Sequence, residues 1–187
     1  NNKIERYLTK SDIERLYAAV KLSQNKMLRY IVPMLILTGA RKNEVLQAKW
    51  NEFDLNQRLW RIPITKSGKA RHVPLSDSML ILLETIRALG ISKTYVLPNP
   101  KTGKPYSSVF YAWDVARKRA GLDDVRIHDL RHTFASLLVN NGRTLYEVQK
   151  LLGHSQIETT QRYAHLSQET LQDATNTATR GFDQIFG

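Results

Sequence analysis

Arg126-Ile127-His128-Asp129-Leu130-Arg131-His132-Thr133-Phe134-Ala135-Ser136-Leu137-Leu138 is the stretch on which the reading of this chain turns. Ile127, Leu130, Phe134, Leu137 and Leu138 recur at helical spacing and form one apolar stripe. His128, Arg131 and His132 stand at i, i+3 and i+4, mostly off that stripe, so their basic side chains converge near the start of the helix. Unpaired backbone amides at a helix start carry partial positive charge, which makes the place suited to an anion.

Outward from this helix, the pattern is mainly helical with one interruption. Thr9-Lys10-Ser11-Asp12 reads as a capped helix start, with Ile13, Leu16, Tyr17 and Val20 continuing the period to about Leu22. A second helix is expected from roughly Lys26 to Leu37, stopped by Gly39, and a short third one over Lys42 to Ala48. From Trp50 to Pro74 the period changes to two: Trp60, Ile62 and Ile64 alternate with Arg61, Pro63 and Thr65, and Arg71 to Leu75 follows a Ser67-Gly68 turn. This predicts a small antiparallel sheet whose hairpin tip carries Lys66 and Lys69. Ser76-Asp77 then caps a helix through Ile81 to Ile86, and Pro98 to Pro105 is expected to be a loop, the natural place for a mobile excursion. Further helices are expected over Ser107 to Ala120, His128 to Asn140, Thr144 to Leu151 and Ile157 to Ala164, with a tail helix from Ser167. The fold class is therefore mainly α with a small three-stranded antiparallel β-sheet, in one domain of 187 residues.

Composition narrows the partner. Lys and Arg total 28 against 17 acidic residues, a formal charge of +11, which suits a polyanion such as nucleic acid. The basic residues are spread along the chain instead of forming one amphipathic helix or juxtamembrane run, which argues against a membrane surface. The apolar run Ile31 to Leu37 holds Pro33 and is too short to span a bilayer. There is no cysteine, hence no disulfide, thiolate zinc site or cysteine nucleophile, and a reducing cytosol is the expected setting. No signal peptide is recognisable, and a start at Asn1 reads as a cut from a longer sequence.

Metal is not expected. His128 and His132 are four apart, as in zinc hydrolases, but those sites place a glutamate directly after the first histidine, where Asp129 stands here. Neither a GxSxG elbow nor a GxxxxGK[ST] loop occurs. What remains is a basic cluster and a hydroxyl. Arg41 and Arg131 can grip phosphate oxygens bidentately, Glu44 lies three after Arg41 and can orient it, and Tyr163 sits among Gln161, Arg162 and His165 without an apolar stripe. A phenol with pKa about 10 is about one part in a thousand ionised at neutral pH, a gap of about 4 kcal/mol that nearby cations and a base must close. A tyrosine picked blindly is usually a buried aromatic, and the polar neighbours of Tyr163 argue otherwise; Arg41 with Glu44, taken alone, reads as a surface ion pair.

In combination these segments resemble the tyrosine recombinase (phage integrase) family over most of the chain, from about Thr9 to His165. Gly39, Arg41 and Glu44 match a Gly-x-Arg-x-x-Glu segment, and His128 and Arg131 match His-x-x-Arg followed by His132. Leu152-Gly153-His154-Ser155 matches the next box, Tyr163 the nucleophile, and Lys66 the hairpin lysine of Lys-x-Gly-Lys-x-Arg-x-Val-Pro-Leu. Ala48 departs from the pattern, standing where a larger aliphatic residue is usual before Trp50.

The resemblance implies an integrase catalytic-domain fold and site-specific breakage and rejoining of DNA without metal, ATP or other cofactor. Tyr163 would attack the scissile phosphate and form a 3′-phosphotyrosyl intermediate. Arg41, Arg131 and His154 would hold the phosphate, His128 would assist proton transfer, and Lys66 would protonate the leaving oxygen, with Lys69 its close competitor. Glu44 and His132 would support these groups, and Lys42, Lys69, Arg71 and Arg143 would bind the DNA backbone. The partners implied are double-stranded DNA and further copies of the chain in a tetramer on DNA, the isolated domain being monomeric. The N-terminal core-binding domain usual in the family is not in this chain, and the tail from 167 to 187 docks either on a neighbour or back on its own chain. The setting would be the cytoplasm, at the nucleoid. The rivals are a noncatalytic DNA-binding regulator on the same scaffold and a type IB topoisomerase, which would relax supercoils without sequence preference.

Overall fold

Thr9 starts the first helix as its sequence foretells: its hydroxyl accepts from the Asp12 amide at 3.1 Å and the Asp12 carboxylate accepts from the Thr9 amide at 3.0 Å. The structure is a computed structural model, and it describes residues 6–63, 70–153 and 168–186. Helix α1 (Lys10–Lys21) buries Ile13, Leu16, Ala19 and Val20. It packs on α2 (Leu28–Thr38), whose Leu28 and Ile31 to Thr38 are all buried, so that α2 is the axis of the core. Gly39 ends α2 in the left-handed region, φ 67°, with its amide bonded to the Leu35 carbonyl.

Helix α3 (Lys42–Leu46) is shorter than expected. The expected run to Ala48 fails because that stretch pairs with a remote one: the Ala48 carbonyl accepts from the Val96 amide and the Trp50 amide bonds the Thr94 carbonyl. Ala48 itself is fully buried. A 3₁₀ turn (Trp50–Glu52) leads into β1 (Phe53–Asp54), β2 (Leu59–Ile62) and β3 (Arg71–Pro74), an antiparallel sheet in the order β1-β2-β3. Trp60 pairs with Val73 and Ile62 with Arg71. The alternation holds where it is described: Trp60, Ile62 and Val73 face the core, and Arg61 and His72 face solvent.

Helix α4 (Asp77–Ala88) starts at Ser76, whose hydroxyl accepts from the Met79 amide. The Pro98–Pro105 stretch is a closed turn, with the Asn99 amide bonded to the Lys104 carbonyl at 2.8 Å and the Gly103 amide to the Asn99 carbonyl at 2.8 Å. Helices α5 (Phe110–Arg119), α6 (Asp129–Asn140) and α7 (Leu145–Leu152) follow; α6 and α7 start one residue later than their spacing suggests because the caps themselves, His128 and Thr144, lie outside the helix, and α5 starts three later, with the Ser108 hydroxyl accepting from the Phe110 amide. The helix expected over Ile157 to Ala164 lies outside the described residues. The tail forms α8 (Gln168–Ala178) and α9 (Phe182–Phe186). In this structure α8 packs on α6, α7 and β3, and α9 on α1 and α4 of the same chain.

Two apolar clusters result among the described residues. The larger surrounds α2, and the smaller joins Phe134 and Leu138 of α6, Val148, Leu151 and Leu152 of α7, and Leu171, Ala174 and Ala178 of α8. Because Leu130 lies in the first and Phe134 in the second, α6 spans both and carries Arg131 between them.

Candidate active site

Arg131 lies where the two clusters meet. It is only 4% exposed, a correction to the expectation that it stands off the apolar stripe: an arginine four residues from Ile127 turns inward because acceptors wait there. Its Nη1 donates to the Gly39 carbonyl at 2.7 Å and its Nη2 to the Leu152 carbonyl at 2.6 Å. Both carbonyls close helices, α2 and α7, where the backbone carries partial negative charge and lacks intrahelical donors. One guanidinium thereby ties together three segments separated by 92 and 21 residues.

The glycines of these segments are required by the packing. A Cβ on Gly39 would stand 2.4 Å from Phe134 Cδ1 and 2.8 Å from Leu152 Cδ2. Gly153, at φ 70°, ends α7, and a Cβ there would stand 2.4 Å from Arg71 Cδ. The turn preceding His154 is thus pressed against both α2 and β3.

Arg41 caps α3. Its amide donates to Glu44 Oε1 at 2.7 Å, while its guanidinium stays 47% exposed, with Nη1 3.8 Å from Glu44 Oε2. That same Oε2 accepts from Arg71 Nη1 at 2.8 Å. Arg71 therefore does not extend toward solvent as a peripheral DNA contact would. Its side chain is 13% exposed and lies inside the cluster. Burial lowers its pKa, and so does Arg41, against the opposing pull of Glu44. Burial, then Arg41 and Arg71, bring Arg131 down to about 9, with Glu44 opposing, which leaves it charged at neutral pH. Arg41, Arg71 and Arg131 thus share one field, with Glu44 as the carboxylate facing it among the described residues.

His128 precedes α6 at its N-cap, exposed, with its ring 4.9 Å from that of His132 in an edge-on arrangement. Burial of part of the ring, followed by the charges of His132, Arg131 and Arg126, lowers its pKa below 6.5 despite Asp129. The imidazole is therefore neutral near pH 7 and able to take a proton. Asp129 is fully buried and accepts from the Arg126 amide at 2.7 Å, and Thr133 accepts from the Leu8 amide at 3.0 Å while donating to the Asp129 carbonyl. Neither was singled out from the sequence as part of the site. A polar residue at the foot of a helix is a signal for such an anchor.

Lys42 opens α3, half-buried. Arg143 is spent inside the protein: it bridges Glu147 of α7 at 3.3 Å to Asp173 and Thr177 of α8. Lys66, Lys69, His154 and Tyr163 lie outside the described residues. Arg41, Arg71, Arg131 and Glu44 form one group, and His128 and His132 adjoin it through Arg131. Such a group can hold a doubly charged oxyanion and neutralise charge that builds on it. Among the described residues no cluster of His, Cys, Asp and Glu is arranged to hold a metal ion. None of the described helices is long and apolar enough to cross a membrane.

The model of the Phage integrase family matches residues 6–170. Tyrosine recombinase XerC of Staphylococcus epidermidis is 33% identical over 183 residues, which take in 90% of this chain and 61% of that protein. Of solved structures, the catalytic domain of bacteriophage HP1 integrase superposes with a TM-score of 0.62 at 31% identity, over 93% of this chain and 95% of that one. The XerH site-specific recombinase bound to its difH substrate superposes with a TM-score of 0.63 at 28% identity, over 85% of this chain and 50% of that one. The chain spans about three fifths of the length of the curated XerC relatives it matches, 61% in the case quoted.

Proposed function

The chain belongs to the phage integrase family, and from that premise we propose that it is the catalytic domain, residues 1–187, of a site-specific DNA recombinase that integrates or excises a mobile element. Tyr163 attacks the scissile phosphate, displacing the 5′-oxygen and forming a 3′-phosphotyrosyl ester. The phosphoryl bond energy stays in that ester, so a 5′-hydroxyl from the partner strand reverses the step without ATP or metal. Arg41, Arg131 and His154 hold the non-bridging oxygens, and neutral His128 takes the phenolic proton or passes it on. Lys66 delivers a proton to the leaving alkoxide, a far stronger base than phenolate. The enzyme works on duplex DNA as a tetramer, in the cytoplasm at the nucleoid. Lys42 and Lys69 contact the DNA backbone, and His132 supports His128.

The observation that carries this reading is Arg131 bonded to both Gly39 and Leu152. It supports a shared phosphate site because the residues two positions on in sequence, Arg41 after Gly39 and His154 after Leu152, are two of the proposed phosphate ligands. The test is a nicked suicide duplex built on the attachment sequence. A denaturant-resistant protein–DNA adduct is expected from the native chain and none from Tyr163→Phe. An intact tyrosine that yields no adduct would overturn the reading.

In the tetramer the tail past Arg180 exchanges its present cis seat for the matching one on a neighbour, with Phe186 meeting the neighbour's Tyr17 as it now meets its own at 5.0 Å. Size exclusion on DNA with and without residues after Arg180 tests this, and an unchanged profile counts against exchange.

A further inference from the structure

We propose that Arg71 is a positioning residue that holds the Glu44 carboxylate off the Arg41 guanidinium, leaving Arg41 free to take a phosphate oxygen. The inference rests on the reading of Arg41 as a phosphate ligand. Glu44 has one oxygen committed, since Oε1 accepts from the Arg41 amide at 2.7 Å and thereby fixes the start of α3. Its other oxygen faces two guanidinium groups. To Arg71 the separation is 2.8 Å, a charge-assisted hydrogen bond, and to Arg41 it is 3.8 Å, too long for one.

Arg71 is built to keep that oxygen. It comes from β3, a different element, so its grip does not depend on α3, and its stem lies against Gly153, where a Cβ would come within 2.4 Å. Its Nε and Nη2 are buried without a hydrogen-bond partner among the described residues, so the bond from Nη1 to Glu44 is the one hydrogen bond that orients the guanidinium there. Arg41, by contrast, is half exposed and has no other acid within reach of its guanidinium among the described residues.

Without Arg71, the nearest cation to Oε2 is Arg41, three residues before Glu44 on the same helical turn, a spacing at which such pairs form readily. A guanidinium edge closed on a carboxylate is withdrawn from phosphate. The lost bond would therefore act on the site through Glu44. A role confined to packing makes the opposite forecast: neutralising Glu44 could not repair it.

The experiment is a double-mutant cycle in this chain with Arg71→Met, Glu44→Gln and both together, and Arg71→Lys as the conservative variant. Gln keeps the acceptor for the Arg41 amide and removes the charge. Inorganic phosphate is titrated against the arginine side-chain N–H resonances, with thermal unfolding recorded alongside. Arg71→Met is expected to weaken the phosphate response of Arg41 about tenfold, the scale of one hydrogen bond to a charged group. Adding Glu44→Gln should restore most of it without restoring Tm, and Arg71→Lys should respond as the native chain does. In a crystal of Arg71→Met, Glu44 Oε2 should close on Arg41 Nη1 from its present 3.8 Å. Native phosphate affinity in Arg71→Met, a double variant no better than Arg71→Met, or a native chain in which Arg41 ignores phosphate would each overturn the inference. A flat cycle in a chain that still forms the tyrosyl adduct sinks this inference alone, and a working cycle in a chain that forms no adduct sinks the recombinase reading alone.

Discussion

Arg131 is the residue on which most else depends, because it satisfies two helix-closing carbonyls that meet no other donor among the described residues. Arg131→Lys keeps a charge but offers a single ammonium, which cannot reach both Gly39 and Leu152 as a planar fork does. One buried carbonyl is then left unsatisfied, at about 1–3 kcal/mol. Unfolding should show that loss, and adduct formation should fall by about 10²–10³, the cost of one misplaced oxyanion donor. A variant that unfolds early yet reacts at the native rate would separate the structural bond from the phosphate site. His128 offers a pH test. Its folded pKa lies below 6.5, chiefly through burial and then His132, Arg131 and Arg126. The fold therefore favours the neutral ring, so it carries no penalty above 6.5 and a growing one as pH falls below it. His128→Gln should flatten the loss of stability as pH falls below about 6.5, followed by denaturant unfolding at each pH. Equal losses in the two proteins would remove His128 as the source.

At the scale of elements, α1 and α7 start with the same device, Thr9 with Asp12 and Thr144 with Glu147, yet only α7 ends on a carbonyl bound by Arg131. Thr9→Ala and Thr144→Ala should each cost about 1 kcal/mol of stability, the usual worth of a hydroxyl cap. Only Thr144→Ala should also slow adduct formation, since fraying of α7 shifts Leu152, and matched slowing in both would refute a local route. These capped helices are the part of the fold that was readable in advance, because cap, period and stop all lie within a dozen neighbouring residues. The early end of α3 was not, since Ala48 is claimed by Val96 and Trp50 by Thr94, partners far along the chain that no local pattern announces. The site divides in the same way. Arg41, His128 and Arg131 could be named from their boxes, but an arginine in a sequence reads as surface. Nothing local foretold that Arg131 is buried by two carbonyl acceptors or that Arg71 turns inward to Glu44.

For the whole molecule, the division into two apolar clusters makes the tail's two helices unequal. Helix α8 supplies Leu171, Ala174 and Ala178 to the smaller cluster, which also holds Leu152, the partner of Arg131. Helix α9 instead places Phe182 in the larger cluster and Phe186 edge-on to Tyr17 at 5.0 Å, and it packs on α1 and α4, neither of which carries Arg41, Arg71 or Arg131. Ending the chain after Arg180 should therefore lower Tm through the loss of Phe182, worth about 3–5 kcal/mol by comparison with large aromatic deletions, while leaving phosphate binding at Arg41 intact. Ending it after Ser167 strips the cover from Val148, Leu151 and Leu152 as well, and frees Arg143 from Asp173 and Thr177. That truncation should abolish the phosphate response even at temperatures where the larger cluster stays folded, because the Leu152 carbonyl no longer has a fixed position for Arg131 to meet. Calorimetry paired with the arginine resonances distinguishes the two. If both truncations lose phosphate binding together with the main unfolding transition, the smaller cluster is no separate support of the site, and Arg131 is held from the α2 side alone.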